Sequence, residues 1–172
     1  MKKEVLIVDG YNMIGAWPEL VKLKNNDFIE EARDQLLETL SNYQTFENLE
    51  VIVVFDAQFV PGISKEYTKY NVKVVFTGQG ETADTYIEGV VDELKNVLTE
   101  VTVATSDLAE QQLVFAKGAN RMSALELHRD IKRSLKRLQQ ETNDFKNTTQ
   151  RKRGTWSEDQ LSVLMRLRDR LS

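Results

Sequence analysis

Short runs rich in valine and isoleucine constrain the fold of this chain more than any other feature of its sequence. Each run is long enough for one buried strand and is followed by a longer segment or a loop, which is typical of a sheet interleaved with helices. The runs occupy residues 4–8, 51–55, 72–76 and 101–104. The pattern predicts an α/β fold built on a mainly parallel sheet.

Apolar helical stripes fill most of the segments between these runs. One stripe covers residues 29–43, where Asp27 is a candidate N-cap, and a second covers 83–98. A further helix is predicted within 106–116. The predicted order is strand and helix, then two strands joined by a loop, then helix and strand.

The last third of the chain is predicted to be helical and basic. Ser123 and Glu126 form a capping box that opens a helix running to about residue 142. Residues 143–155 are polar and lack periodicity, which predicts a loop or mobile linker before a last helix. We therefore expect one domain over residues 1–142 and a basic linker with a C-terminal helix over 143–172.

Composition excludes several kinds of site. The chain has no cysteine and one histidine, His128, so it can build neither a disulfide framework nor a zinc site rich in cysteine or histidine. We expect His128 at a helix surface or at the edge of the core. No apolar run is long enough to span a bilayer, and "MKKE" leads directly into a strand. These features predict a soluble, cytoplasmic protein with no membrane partner.

Charge is unevenly distributed along the chain. Residues 1–120 carry 10 Lys and Arg against 20 Asp and Glu, whereas 121–172 carry 13 against 7. The split favours a protein that holds cations with one part and a polyanion with the other. A solvated helical face with surplus Lys and Arg would explain the basic part equally well.

Four aspartates follow the predicted strands. Asp9, Asp56 and Asp107 come directly after apolar runs, and Asp84 lies at the start of the helix after the third run. Because the carboxyl ends of parallel strands border one crevice, we expect these side chains to converge. Clustered carboxylates repel one another, which favours a bound cation, and hard oxygen ligands suit Mg²⁺ or Mn²⁺.

Each aspartate also has a purely structural interpretation. The alternatives are a turn at Asp9, the start of a loop at Asp56, a first helical turn at Asp84 and an N-cap at Asp107. Their joint placement favours a site, because capping alone does not require an acid at every strand exit.

The segment "VDGYNMIG" has nearly the spacing of a dinucleotide-binding fingerprint. Gly10 and Gly15 match, but Asn12 replaces the middle glycine and Asp9 would place negative charge beside the phosphates, so we reject a dinucleotide site. Asn12 fits better as an amide that holds a carboxylate, a water or a scissile phosphate, in a loop that the two glycines turn around a metal. Its structural alternative is an Asx turn.

Together with "VVFDA", "ETADTYIE" and "ATSD", this segment resembles the NYN domain family, a branch of the PIN-like nucleases, and most closely its bacterial YacP-like members. The resemblance covers roughly residues 4–142. It implies a PIN-like α/β/α sandwich around a mainly parallel sheet, here followed by C-terminal helices, and a metal-dependent endoribonuclease.

The resemblance also implies a site and partners. Asp9, Asp84 and Asp107 would bind Mg²⁺ or Mn²⁺, and Asn12 and Asp56 would complete the catalytic set. A metal ion held there can activate water and stabilise charge on the phosphate without a histidine base. YacP-like members include a ribosome-associated endonuclease that cleaves mRNA during translation, so mRNA and the ribosome are the implied partners, and DNA is not expected.

Basic and aromatic residues predict an RNA-binding surface. Arg33 is expected to reach a substrate phosphate or to orient a carboxylate, unless it pairs within its own helix. Tyr11 and Trp17 are candidates for stacking on bases. The remaining candidates would form a track along the RNA backbone with a mobile extension. They are Lys117, Arg121, Lys132, Arg133, Lys136, Arg137, Arg151, Lys152 and Arg153.

Two other functions compete with nuclease activity. A catalytically inactive RNA- or ribosome-binding module would share this pattern, although the retained acids speak against it. A receiver-like signalling domain would also place acids at strand ends, but its candidate phospho-acceptor, Asp56, follows the second strand instead of the third.

Overall fold

A computed structural model describes residues 2–57, 70–151 and 158–171 of the chain. Its strands are β1 (Lys3–Asp9), β2 (Glu50–Phe55), β3 (Lys73–Phe76), β4 (Thr99–Ala104) and β5 (Asn120–Met122). The helices among the described residues are α1 (Gly10–Ala16), α2 (Pro18–Asn25), α3 (Ile29–Glu47), α4 (Ala83–Leu94), α5 (Leu108–Ala116), α6 (Ala124–Arg151) and α7 (Glu158–Leu171). Every helix in these three ranges is too short or too polar to cross a membrane.

All five strands run parallel in the order β3-β2-β1-β4-β5. The chain therefore moves outward from β1 through β2 to β3, and then crosses back to the other side of β1 to form β4. Such a reversal leaves a crevice at the carboxyl ends of β1 and β4, where open α/β sheets bind ligands. The predicted α/β fold with a parallel sheet is confirmed.

The strands are apolar because helices cover both faces of the sheet. Val5 and Ile7 of β1 pack in a core cluster with Ile87 of α4 and Val114 of α5. Successive side chains of a strand point to opposite faces, so the equally buried Leu6 and Val8 face the other layer. On that layer α1, α2 and α3 contact one another, and α1 and α3 contact β2.

The chain divides into two compact units, Met1–His128 and Arg129–Ser172. The first holds the whole sheet and α1 to α5, and the second holds most of α6 together with α7. The division thus falls inside α6, before the boundary predicted after residue 142.

Three local predictions are wrong. The segment after β1 is a helix, α1, instead of a loop that winds around a metal. Asp27 does not cap α3, since Phe28 is the N-cap and Asp27 has a positive φ of 62°. The second stripe ends at Leu94 instead of 98, because the Asn96 side chain accepts a hydrogen bond from the Leu98 amide and forms a turn there.

The predicted loop over 143–155 is wrong for its described part, because α6 continues to Arg151. The threonine hydroxyls of this segment bond back to helix carbonyls: Thr142 donates to Leu138 at 2.8 Å, and Thr148 donates to Asp144 at 2.8 Å. Polar residues that favour loops are accommodated within the helix in this way. The predicted capping box at the start of α6 is supported by the Ser123 hydroxyl, which accepts a hydrogen bond from the Glu126 amide at 3.1 Å.

The strand β5, a polar edge strand of three residues, was not predicted from the sequence. It forms because the turn after α5, with Gly118 at φ 97°, directs residues 120–122 alongside β4. Strands this short and polar carry no alternating pattern.

Gly10 permits the close approach of α1 to β2. A Cβ atom at this position would collide with the ring of Phe55, which packs between Tyr11 and Phe76 with ring centroids 5.1 and 5.5 Å away. The ring is enclosed and cannot move aside freely. Gly15, by contrast, has nothing within 4 Å of the corresponding position, so no steric contact requires a glycine there.

We therefore predict opposite effects for two glycine substitutions in one helix. Gly10→Ala should lower the free energy of unfolding by about 1–3 kcal/mol through overpacking against Phe55. Gly15→Ala should raise it by about 0.5–1 kcal/mol, because alanine favours the helix. Urea unfolding of both variants measures the difference, and an equal loss in both would contradict the steric argument.

Candidate active site

Asp9 lies at the centre of the carboxyl edge of the sheet. It is the last residue of β1, it is 5% exposed, and its Oδ1 accepts a hydrogen bond from the Asn12 amide at 3.4 Å, which caps α1. Burial raises the pKa of Asp9 from 3.8 to about 6; hydrogen bonds from Asn12 oppose the shift, and the negative charges of Asp84 and Asp56 add to it. The fold thus holds a carboxyl group where its charged form is disfavoured.

Asp84 and Asp107 reach the same edge from α4 and α5. Asp84 lies in the first turn of α4, and Asp107 is the N-cap of α5, whose Oδ1 accepts from the Ala109 amide at 2.9 Å. Burial raises the pKa of Asp84, and the nearby charges of Asp107, Glu88 and Asp56 raise it further. The structure therefore brings the predicted acids into mutual electrostatic range.

Asp56 follows β2 and is half-buried. Its charge raises the pKa of both Asp9 and Asp84. We call Asp9, Asp56, Asp84 and Asp107 the acidic cluster.

The acidic cluster is not a preformed metal centre. Among the described residues, no group of three or more His, Cys, Asp or Glu side chains is arranged to hold a metal ion. The donor chemistry nevertheless fits a divalent cation, because only hard carboxylate oxygens are present and they repel one another. A cation would offset the repulsion that now raises the pKa of Asp9 and Asp84.

Asn12, in α1, connects this helix to the segment between β4 and α5. Its Oδ1 accepts from the Ser106 amide at 2.9 Å, from the Ser106 hydroxyl, and from Thr105 Oγ1 at 3.3 Å. Its side chain also hydrogen-bonds Asp9 and lowers the pKa of that carboxyl group. Of the roles predicted for Asn12, the structure supports the amide that holds a carboxylate.

Thr105 extends this bridge to Asp107, and the sequence analysis missed it. The residue is fully buried; its hydroxyl donates to Asn12 and accepts from the Asp107 amide at 3.2 Å. A threonine two residues before an N-cap aspartate is the local pattern for such a side-chain turn, and "ATSD" contains it. A continuous chain of hydrogen bonds therefore joins Asp9 to Asp107 through Asn12 and Thr105.

Glu110 and Glu88 are further acids that the sequence analysis missed. Glu110 is 3% exposed, and within the described part of the chain its Oε1 has no hydrogen-bond partner. Burial raises the pKa of Glu110, and so do its hydrogen bond to Glu88 and the charges of Asp84, Glu88 and Asp107. The neutral form of the Glu110 carboxyl group is therefore favoured over its charged form.

Glu110 resembles the last position of a capping box that starts at Asp107. In the structure the Asp107 amide bonds Thr105 instead. The capping-box spacing could therefore have drawn attention to Glu110, but it would have indicated the wrong partner for the Asp107 amide.

Arg33 does not lie where the prediction of RNA contact needs it. It is in α3 and is 2% exposed, so its guanidinium is not on the surface to meet a phosphate. Trp17 is also misassigned as a stacking residue, since it is 1% exposed and its Nε1 donates to the Ala124 carbonyl at 2.9 Å. Tyr11 is half-buried against Phe55.

His128 lies at the edge of the core, as predicted. It is buried, its ring is 5.2 Å from that of Trp17, and its Nε2 lies 2.9 Å from a carboxylate oxygen of Glu19.

The other predicted RNA-binding residues are distributed over both units. In the first unit, Lys117 pairs with Asp92 at 2.9 Å, and Arg121 lies on the edge strand β5. In the second, the exposed residues on α6 are Lys132, Arg133, Lys136 and Arg137. Arg151 ends α6, whereas Lys152 and Arg153 lie outside the described residues.

Comparison with known proteins gives a consistent assignment. The profile of the YacP-like NYN domain matches residues 6–169. The chain is 48% identical over 136 residues to the Uncharacterized protein YacP of Bacillus subtilis (strain 168), which covers 79% of each chain.

Two crystal structures of Rae1 (YacP) from Bacillus subtilis share the fold. One, of a mutant, has a TM-score of 0.74 at 38% identity and covers 94% of this chain and 97% of its own. The other has a TM-score of 0.73 at 42% identity and covers 96% and 94%. The predicted PIN-like fold is confirmed.

The raised pKa of Asp9 predicts a pH-dependent cost to stability. As the pH rises above 3.8, the unfolded chain releases this proton first, so the free energy of unfolding falls until the folded-state pKa near 6 is passed. Asp9→Asn should therefore stabilise the metal-free protein by about 1–3 kcal/mol at pH 7 and lose that advantage below about pH 4. Urea unfolding across pH measures this, with exposed Glu93→Gln as the control. An advantage that persisted at low pH would contradict the electrostatic origin.

The bridge through Thr105 predicts a second stability effect. Thr105→Val keeps the shape of the side chain but removes the hydroxyl, which leaves the partly buried Asp107 amide without its acceptor. The loss should be about 1–3 kcal/mol. Thr102→Val on β4, the strand that ends just before Thr105, is the matched control and should be nearly neutral. Equal losses in the two variants would show that the bridge contributes nothing specific.

Proposed function

We propose that this chain, which belongs to the family of YacP-like NYN domains, is a metal-dependent endoribonuclease that cleaves mRNA in association with the translating ribosome. The observation that carries the proposal is the acidic cluster. Carboxylates from β1, the segment after β2, α4 and the start of α5 lie together at the switch point of the sheet, where their charges help to raise the pKa of Asp9 and Asp84. Concentrated like charge of this kind is typical of functional sites.

Asp9, Asp84 and Asp107 are the residues that would hold Mg²⁺ or Mn²⁺, with Asp56 beside them. When bound, such an ion supplies activation of water and stabilisation of the charge that develops on a phosphate. Hydrolysis by this route leaves a 5′-phosphate and a 3′-hydroxyl.

The chain's own contribution is to position these carboxylates. Asn12 orients the Asp9 carboxylate through its amide and is itself fixed by Ser106 and Thr105. Thr105 and the first turn of α5 orient Asp107. Groups that are held in place before the substrate arrives lose little freedom in the reaction, which lowers its barrier.

His128 is not needed as a base in this scheme. Its Nε2 is already engaged with Glu19.

The strand order argues against one alternative, and the cap of α1 argues against another. Receiver-like domains have the strand order 2-1-3-4-5, whereas this sheet has 3-2-1-4-5, so the receiver-like alternative is not supported. A dinucleotide needs the amino end of α1 for its phosphates, and the Asp9 carboxylate already caps that end. An inactive RNA-binding module is the remaining alternative, and the cost of holding the buried Asp9 carboxyl group near other carboxylates favours an active site over it.

The RNA and ribosome parts of the proposal draw on the family resemblance and on the basic second unit. Exposed cations on α6 suit a phosphate backbone, whose neutralisation releases counterions and makes binding salt-dependent.

Cleavage of translated and untranslated mRNA, with and without Mg²⁺ or Mn²⁺ and with mapping of the 5′ ends, tests this function. Asp9→Asn and Asp84→Asn should each reduce the rate by more than about 100-fold, because each removes a carboxylate from the cluster. Glu93→Gln, an exposed acid on the same helix as Asp84, should retain activity.

A second readout separates metal binding from catalysis. Mn²⁺ should raise the melting temperature of the unsubstituted protein but not that of Asp9→Asn, because only the former retains the site. Wild-type cleavage by both aspartate variants would overturn the nuclease assignment, and a requirement for translation would support the ribosome as partner.

A further inference from the structure

An exposed aromatic ring and a cation lie together at the far end of α5. Phe115 is 61% exposed, and the guanidinium of Arg121 on β5 lies over its ring, 5.2 Å from the centroid. We propose that Phe115 and Arg121 form a stacking site for one base of single-stranded RNA. The inference rests on the proposed RNA-cleaving function and names a binding site for its substrate.

The backbone holds this pair in place. Val114, the neighbour of Phe115, is fully buried in the core cluster and anchors the last turn of α5. The Ala119 amide donates to the Val114 carbonyl at 3.0 Å, and Gly118 turns the chain so that β5 runs beside β4. Phe115 and Arg121 therefore meet through a tight, hydrogen-bonded turn, which reduces the entropy lost when a ligand binds.

Arg121 is available to a ligand, whereas its polar neighbours are engaged. Lys117 pairs with Asp92, and the Asn120 amide donates to Glu100 at 2.8 Å. Within the described ranges no carboxylate pairs with Arg121. An arginine plane over an aromatic ring gives a base a flat surface and a phosphate a positive charge, which is how single strands are commonly held.

The pair also lies on the helix that carries a member of the acidic cluster. Asp107 caps the amino end of α5, and Phe115 is eight residues further on, so the two are separated by about 12 Å along the helix axis. A base held at Phe115 would therefore belong to the strand being cut, close to the scissile phosphate but outside the acidic cluster. The site would position the substrate without taking part in the chemistry.

Binding of a short single-stranded RNA oligonucleotide to full-length protein tests this, with Asp9→Asn present throughout to prevent cleavage. Phe115→Ala should weaken binding about 5- to 150-fold, the loss expected when one stacked base is released. Phe115→Trp should retain affinity. Leu113→Ala is the matched control, since Leu113 is exposed on the same helix but two residues away and so on another face.

A series of oligonucleotides that each lack one base identifies stacking directly. With Phe115 present, removal of one particular base should weaken binding, and with Phe115→Ala the same removal should have no further effect. Wild-type affinity in Phe115→Ala, or a penalty for base removal that does not depend on Phe115, would overturn the inference. Loss of ribosome binding in Phe115→Ala, with RNA binding intact, would overturn the inference and identify a protein-docking site at Phe115 instead.

These outcomes separate the inference from the proposed function. If RNA is cleaved but neither binding nor cleavage depends on Phe115, the nuclease assignment holds and the stacking site is overturned. If RNA binds through Phe115 but is never cleaved, the stacking site holds and the nuclease assignment is overturned. Absence of any RNA binding by the unsubstituted protein would overturn both.

Discussion

The burial of β1 at the centre of the sheet is the constraint on which the site depends. Its paired neighbours, β2 and β4, fix its register, and the helices on both faces leave its last residue almost no solvent. Asp9 therefore lies in a place where its charge is costly, and the charges of Asp56, after β2, and Asp84, in α4, raise its pKa further. Hydrophobic packing of the strands thus offsets electrostatic repulsion at their ends.

The network through Asn12 and Thr105 allows this repulsion to persist without disorder. It links α1, which follows β1 directly, to the segment between β4 and α5 by direct hydrogen bonds. A site with raised pKa values and like charges is less stable than an apolar one, and proteins keep such sites where function requires them. Gly10 contributes to the same arrangement. Because it has no side chain, α1 can start directly against Phe55.

Features that depend on residues close together in the sequence were predictable, whereas features that depend on distant residues were not. Apolar runs located four of the strands, and acids at their ends located the cluster, because both patterns are local. Trp17 and Arg33 were assigned to RNA contact because their residue types are common in RNA-binding sites, although both are buried. For Arg33 the position was informative, because it lies on the apolar stripe of α3, three residues before Leu36. The helix over 143–151 was missed because its hydroxyl-to-carbonyl bonds compensate for low helix propensity.

The sequence by itself determined the α/β class, the identity of the acids and their position after parallel strands, since strand periodicity and residue order are properties of the chain alone. Only the tertiary structure decided which acids interact, that Asn12 and Thr105 connect them, and that Glu110 is buried near other carboxylates. It also decided that the guanidinium of Arg121 lies over the exposed ring of Phe115. These contacts depend on the strand order and on the turn after α5, where burial, like charge and the pairing of distant strands act together. The free energies of these contacts depend on distances between residues far apart in the sequence, which no local sequence pattern specifies.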